Sequence, residues 1–294
     1  EIVKMIKNEF EISKEGERNF SYIGLEIEQT SKGLTLNQNK YINDLKMIDI
    51  KGYNDKNEVI TGKKSEELRS MIGQLSWVSG QTRPDIAFEV CQLSVNFNKA
   101  TVKDLMKVNK CVKKLKLENV ILRFPNLGDL QNVKLLTYAD ASFNNLGEGA
   151  SQGAYISFIV GENKKYAPLA WQSKKLQRVV KSTLGAETMA LLSGSENGLL
   201  FGAMIAELIG GERVEVTART DSKGLRDAVN SSNTLEDNRL KIDVAVLRDY
   251  LRQKELHEIS WVRSEDQLAD SLTKGGASTA KLLSALRGEF SMQV

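Results

Sequence analysis

The residues best placed to do chemistry are four carboxylates at element boundaries: Asp140, Glu187, Asp221 and Asp270. Asp140 follows the strand-like run Leu135-Leu136-Thr137-Tyr138-Ala139, and Asp221 closes another that ends at Thr220. Glu187 lies in the first turns of a long helical run, and Asp270 sits within Gln267-Leu268-Ala269-Asp270-Ser271-Leu272-Thr273-Lys274. Strand ends and helix starts can converge on one edge of a mixed sheet. Carboxylates gathered there would repel one another, and some would stay protonated unless a cation were present. Mg²⁺ removes that conflict, because it prefers carboxylate and water oxygens and leaves positions open for phosphate. Two such ions, about 3.5–4 Å apart, can activate a water and stabilise a leaving oxygen, and no Cys or His is needed among the ligands.

The plainer explanation stays open at this point. With 38 Asp plus Glu, some fall at strand ends or helix starts by chance. A carboxylate in a first helical turn also has its own electrostatic reason to be there.

The elements that must position these residues fall into two regions. The second region reads as strands at Val133–Tyr138, Gly153–Val160 and Ala167–Gln172, then a long helix from about Leu184 to Ile209 stopped by Gly210-Gly211. Strand Val214–Thr220, a short helix from Ser222, a helix from about Asp237 to Gln253, strand Glu258–Val262 and a last helix through Leu268–Leu272 complete it. Three consecutive strands predict an antiparallel meander, and helix-linked strands add in parallel. The expectation is an α/β fold with a five-stranded mixed sheet flanked by helices.

The first region opens with a short helical stretch and a hairpin: Phe20–Glu28 as one strand, a turn at Ser31-Lys32-Gly33, then Leu34–Gln38. Helical patterns follow at Tyr41–Met47, Glu66–Ser79, Asp85–Phe97 and Val102–Leu117, with Pro84 suited to a helix's first turn. Pro125-Asn126-Leu127-Gly128-Asp129 reads as a linker. The expected division is therefore 1–125, 132–275 and a tail, 276–294.

Bulk properties narrow the choices only a little. A formal charge of +3 neither requires nor excludes a nucleic-acid partner. Cys91 and Cys111 are too few for a disulfide framework and lack metal-ligand spacing, which points to reduced thiols in an intracellular protein. The first residue is Glu1, with no leader-like pattern after it, and we expect the chain to be cut from a longer protein. Gly194, Gly198 and Gly202 recur at the spacing of a membrane helix pair. Glu196, Asn197 and Glu207 interrupt that run, so a helix packed closely on a sheet is expected, with no membrane partner.

At the level of motifs the chain resembles the C-terminal part of copia-type LTR retrotransposon polyproteins, the end of reverse transcriptase followed by ribonuclease H. The resemblance rests on ordered pieces spanning nearly the whole chain. They are Tyr22–Ile27, Gly33–Ile42, Met71–Trp77, Thr82-Arg83-Pro84-Asp85-Ile86, Tyr138-Ala139-Asp140, Ala170–Gln177, Ser182–Thr188, Thr220–Leu225 and Gln267–Lys274. Each piece is weak alone, and their order and spacing together are specific. The resemblance implies a ribonuclease H fold preceded by a mostly helical thumb and connection region with a β-hairpin. It places the metal ligands on Asp140, Glu187, Asp221 and Asp270, serving two Mg²⁺ ions for which Mn²⁺ can substitute. The implied activity is hydrolysis of the RNA strand of RNA–DNA hybrids, in partnership with the rest of the reverse-transcriptase polyprotein. A cytoplasmic location in a retrotransposon particle, with a nuclear phase open to it, goes with that reading.

Two departures qualify it. The polymerase Tyr-x-Asp-Asp motif is absent and no Asp-Asp pair occurs, so residues 1–125 carry no polymerase active site. Cellular ribonucleases H also place a histidine in the loop after the last strand. Here that loop is Arg263-Ser264-Glu265-Asp266-Gln267, and the single histidine, His257, precedes the strand and is expected at the surface. These departures motivate the alternative of a decayed or domesticated module that binds a hybrid without cutting it. A different nuclease or recombinase on the same fold fits the thumb-like first region poorly.

A hybrid should be read by shape and backbone rather than by base sequence. The candidate contacts are Lys174, Lys175, Gln177, Arg178 and Lys181, then Ser222 and Lys223 beside Asp221, then Arg239 and Lys241; each could equally be a solvated end residue. Trp171 is expected in the core, and Lys32 and Gln38 of the hairpin are expected at the DNA.

Overall fold

The computed structural model describes residues 18–95, 97–231 and 237–292. The short helical stretch expected at the chain start lies outside the described residues.

The first region pairs four antiparallel strands in the order β1 (Asn19–Tyr22), β2 (Leu25–Thr30), β3 (Gly33–Asn37) and β4 (Leu122–Pro125). The single strand expected over 20–28 is in fact two. Ile23 and Gly24 have φ of 49° and 77°, and this left-handed pair turns the chain back on itself. β4, which the sequence reading left unassigned, pairs Phe124 with Leu34. Helices α1 (Asn39–Asp44), α2 (Gly62–Gln81), α3 (Ala87–Val95) and α4 (Val102–Leu117) follow β3. In α4 the residues Val102, Leu105, Val108, Val112 and Leu115 are buried. Their three- and four-residue spacing is the apolar stripe of a helix lying on a core. Thr101 and Asp104 close a capping box at its start.

The motif at Thr82–Ile86 is a buried clamp. Arg83, 1% exposed, makes two hydrogen bonds to Asp85 and donates to the carbonyls of Leu115 and Glu118. Those carbonyls are at the end of α4, where backbone acceptors lack helical partners.

The second region is a five-stranded sheet in the order β7 (Tyr166–Lys175), β6 (Gln152–Val160), β5 (Lys134–Ser142), β8 (Glu215–Thr220) and β9 (Glu258–Trp261). β5, β6 and β7 are an antiparallel meander, whereas β8 and β9 join in parallel after helical crossovers. This is the ribonuclease H-like sheet, with α5 (Thr183–Ile209), α6 (Lys223–Asn230), α7 (Asn238–Arg252) and α8 (Ala280–Leu286) around it. α5 is long and apolar enough to cross a membrane by length and composition. In the fold it lies on the sheet. A side-chain carbon at Gly194 would come within 3.1 Å of Thr137, and one at Gly198 within 2.9 Å of Val216.

The helix expected through Leu268–Leu272 is only a 3₁₀ turn, Asp270–Leu272. Leu268, Ala269 and Leu272 are all buried, and the turn stops at Thr273, whose φ of −123° leaves the helical region.

The two regions share a core. Ala87, Val120 and Leu122 from the first cluster with Leu136, Ile156 and Phe158 of the sheet. Leu282, Ala285 and Leu286 of α8 belong to the same cluster. Trp171, expected to be core, is half-buried at this junction, and its Nε1 donates to the Ser79 carbonyl at 2.7 Å.

Candidate active site

Parallel pairing of β5 with β8 sets Tyr138 opposite Arg219. Two residues further on, Asp140 and Asp221 emerge side by side at the same sheet edge. Glu187 reaches them from the first turns of α5, whose glycines let the helix axis approach β5 and β8. Ligand oxygens of Asp140, Glu187 and Asp221 all lie within 4.8 Å of one another.

Asp270 stands beside this trio on the 3₁₀ turn, which is fastened to the sheet by side chains. Gln267 Nε2 donates to the Ala139 carbonyl at 3.0 Å, Ser173 Oγ to the Leu272 carbonyl at 2.6 Å, and Asn145 Nδ2 to the Thr273 carbonyl at 3.2 Å. Thr273 Oγ1 donates to Asp140 Oδ2. Lys274 Nζ pairs with Asp270 Oδ1 and lies 3.6 Å from Asp140 Oδ1. The sequence reading assigned no role to Thr273 or Lys274. The signal that could have found Lys274 was its four-residue spacing from Asp270, which places the two side chains together on a helical turn.

Burial is the first cause of the site's electrostatics. Asp140 is 0% exposed, and its pKa is pushed up to about 6 by burial, with Asp221 and Asp270 adding and Lys274 and Thr273 opposing. Glu187 is pushed up to about 9 by burial and then by the charges of Asp140 and Asp221. Burial works against the Lys274 ammonium, yet Asp140 and Asp270 outweigh it and hold its pKa above the ordinary lysine range.

These residues fit a divalent cation. Asp140 Oδ1 and Glu187 Oε2 are buried without a hydrogen-bond partner. A buried carboxylate oxygen left so is costly, and hard anionic oxygens of this kind are what Mg²⁺ or Mn²⁺ requires.

The expected substrate contacts divide into groups. Lys174, Gln177 and Arg178 line a cleft of about 470 Å³ with Glu196 and Asp243. A smaller cavity of about 190 Å³ beside it is bordered by Arg178, Lys181, Asp237 and Arg239, and by Ser182 and Gly185 at the start of α5. Arg178 is held by Asp243, and Lys181 is 3.8 Å from Asp237. Lys175 is exposed at the end of β7. Ser222 caps α6 by accepting from the Leu225 N–H, and Lys223 Nζ lies 4.5 Å over the Trp261 ring. Lys241 lines neither cavity; its Nζ is 3.4 Å from Asn238 Oδ1. Lys32 is exposed at its turn. Gln38 is a correction: it is 1% exposed and accepts from Thr82 Oγ1 at 2.8 Å, so its side chain faces the interior rather than a DNA backbone. His257 is at the surface as expected, with Nε2 3.0 Å from Glu215.

No protein-family model matches the chain. It is 27% identical over 292 residues to the retrovirus-related Pol polyprotein from transposon RE1 of Arabidopsis thaliana, a match covering 91% of this chain. The corresponding polyprotein from transposon RE2 is 25% identical over 281 residues, covering 89% of this chain. Its relatives are retrotransposon Pol polyproteins. The resemblance drawn from the ordered motifs is thereby borne out. The chain spans about a fifth of the length of these curated relatives, 19% and 18%.

Among solved structures, the chain is similar to LC11-RNase H1, isolated from compost by a metagenomic approach. That likeness is 19% identical, covers 48% of this chain and 92% of that one, and has a TM-score of 0.37. The foamy viral protease-reverse transcriptase in complex with RNA/DNA hybrid is 13% identical, covering 89% of this chain and 31% of that one, with a TM-score of 0.49. The order β7-β6-β5-β8-β9, with an antiparallel meander joined by two parallel strands, is what defines the fold.

Proposed function

We propose that this chain is the ribonuclease H portion of a retrotransposon reverse transcriptase and hydrolyses the RNA strand of RNA–DNA hybrids. One observation carries the reading. Three carboxylates from a strand, a strand end and a helix start meet at one sheet edge, and two of them have buried oxygens without a hydrogen-bond partner.

Asp140, Glu187 and Asp221, with Asp270 at their margin, would hold two Mg²⁺ ions, for which Mn²⁺ can substitute. Bound there, such ions supply water activation and neutralise charge on the leaving oxygen. Asp140 is the central residue, because burial and the Thr273 hydroxyl fix its orientation. Glu187 is anchored by a helix packed through glycines, so its carboxylate is positioned by the fold rather than by a mobile loop. The clefts lined by Lys174, Gln177, Arg178, Lys181 and Arg239 supply donors for a phosphate backbone, with Ser222 and Lys223 nearer the carboxylates. The rest of the reverse-transcriptase polyprotein is the expected partner, and a cytoplasmic retrotransposon particle the expected setting.

The test is cleavage of a labelled RNA–DNA hybrid with Mg²⁺, with Mn²⁺ and with chelator, beside Asp140→Asn. We expect metal-dependent cutting of the RNA strand alone, reduced in the variant by on the order of 10²–10³ or more. A folded chain that binds the hybrid and never cuts it would instead be a binding module.

A further inference from the structure

We propose that Lys274 is a cation built into this site. It holds the edge between Asp140 and Asp270 while that edge is free of metal, and a divalent ion must displace it to use both carboxylates. The inference rests on the metal-site reading above.

The geometry is specific. Asp140 is 1% exposed at its side chain, so its charge is balanced chiefly by the groups packed against it. One of its oxygens accepts from Thr273 Oγ1, and the other faces Lys274 Nζ at 3.6 Å. Both groups come from the turn that carries Asp270. That turn therefore delivers a carboxylate, a hydroxyl and an ammonium to one spot. Its backbone keeps them together, since the N–H groups of Thr273 and Lys274 both donate to the Asp270 carbonyl at 3.1 Å.

Lys274 is also free to leave. Its side chain is 43% exposed, and its flexible stem can swing the ammonium outward without moving the turn. An ammonium satisfies carboxylates as a single charge, whereas Mg²⁺ or Mn²⁺ demands several close oxygens. An ammonium seated between Asp140 Oδ1 and Asp270 Oδ1 repels a divalent ion drawn to the same two oxygens and fills the space it would enter. Occupation by Lys274 and use of both carboxylates by a metal ion are therefore alternatives, and the apparent metal affinity is lowered by the competition.

The experiment is Mn²⁺ binding by the full chain without nucleic acid, read by the electron paramagnetic resonance signal of free Mn²⁺ and by the metal-induced rise in melting temperature. Lys274→Met, Lys274→Gln, Lys274→Arg and Asp140→Asn are compared with the parent chain. We expect the two neutral variants to bind Mn²⁺ about tenfold more tightly. They should melt lower without metal and show a wider gap on adding it, while Lys274→Arg stays close to the parent. Should Lys274→Met fail to fold without metal, Lys274→Gln decides. Folded neutral variants that bind Mn²⁺ as the parent does, or more weakly, overturn the proposal. Loss of binding in Asp140→Asn alongside that result leaves the metal-site reading standing, whereas unchanged binding in Asp140→Asn removes both.

Discussion

The ring of Phe88 lies against Gly275, five residues beyond Asp270, so closely that a side-chain carbon there would sit 2.9 Å from Phe88 Cε1. Phe88 belongs to α3 in the first region, and Ala87 beside it shares a buried cluster with Leu268, Ala269 and Leu272. The turn that presents Asp270, Thr273 and Lys274 is thus clamped between the sheet and a helix from the other half of the chain.

Gly275→Val should push the turn off α3 and displace Asp270 and Lys274. A misplacement near 1 Å can cost about 10²-fold in rate. We expect hybrid cleavage to fall tenfold to about 10²-fold with unchanged far-ultraviolet circular dichroism. Phe88→Ala combined with Gly275→Val should recover part of the loss, because the colliding ring is gone. Full activity in the single variant would mean that the first region does not position the site.

Metal-free stability should fall as pH rises, the reverse of the usual behaviour of carboxylates. Asp140, raised to about 6, faces Glu187, Asp221, Asp270 and Lys274, while Glu187 is raised to about 9. A folded-state pKa above the unfolded value means the folded chain binds more protons over that interval. Stability is therefore lost as pH climbs from about 4 to about 9. Melting temperatures in chelator should decline across that range, by about 2–4 °C for each kcal/mol lost. Saturating Mg²⁺ should flatten the profile, and a profile that rises with pH in chelator would contradict the electrostatic account.

The Arg83–Asp85 clamp predicts a stability defect away from the site. Burial opposes the Asp85 charge, but Arg83 and then Lys114 outweigh it and hold its pKa below the ordinary carboxylate range. Asp85→Ala leaves Arg83 buried without its carboxylate, a change costing about 3–5 kcal/mol. Urea unfolding should show that loss as a lower midpoint, while the folded fraction retains its Mn²⁺ affinity. The Asp85 contribution is present above the unfolded pKa, so acid should narrow the difference between the variant and the parent.

His257 should be dispensable for cleavage. It pairs with Glu215 at the start of β8, whereas Asp221 lies just past the end of that strand. At a rise of about 3.3 Å per residue the two ends are roughly 20 Å apart. His257→Gln should change the cleavage rate by less than about twofold, since surface substitutions away from special features have small effects. A larger loss in rate at saturating substrate would require another account of proton handling.

Much of this architecture was legible in the chain itself, where local patterning determines it. The apolar runs of β5, β6 and β8, the glycine-spaced helix α5 and the turn residues at Gly210-Gly211 specify a mixed sheet with one long helix on it. Asp221 lies just past the end of β8, where the apolar run stops, whereas Asp140, expected after its strand, lies inside β5, which pairs with β6 as far as Ser142. Short elements were less legible. Ile23-Gly24 turned an expected strand into a hairpin, β4 gained its strand only by pairing with residues far away in sequence, and the segment at Leu268–Leu272 had too few turns for its helical pattern to be realised.

What the sequence alone determined, then, was the long elements, the candidate carboxylates and their order along the chain. Tertiary structure decided which of those carboxylates bring their oxygens within 4.8 Å of one another, and it put Lys274 between Asp140 and Asp270. It also placed α3 against the turn that carries them. The physical reason is range: periodicity and caps act over a few residues, whereas the site joins β5, α5, the end of β8 and a distant 3₁₀ turn. Its burial, its raised pKa values and its internal cation arise only when those segments exclude water together.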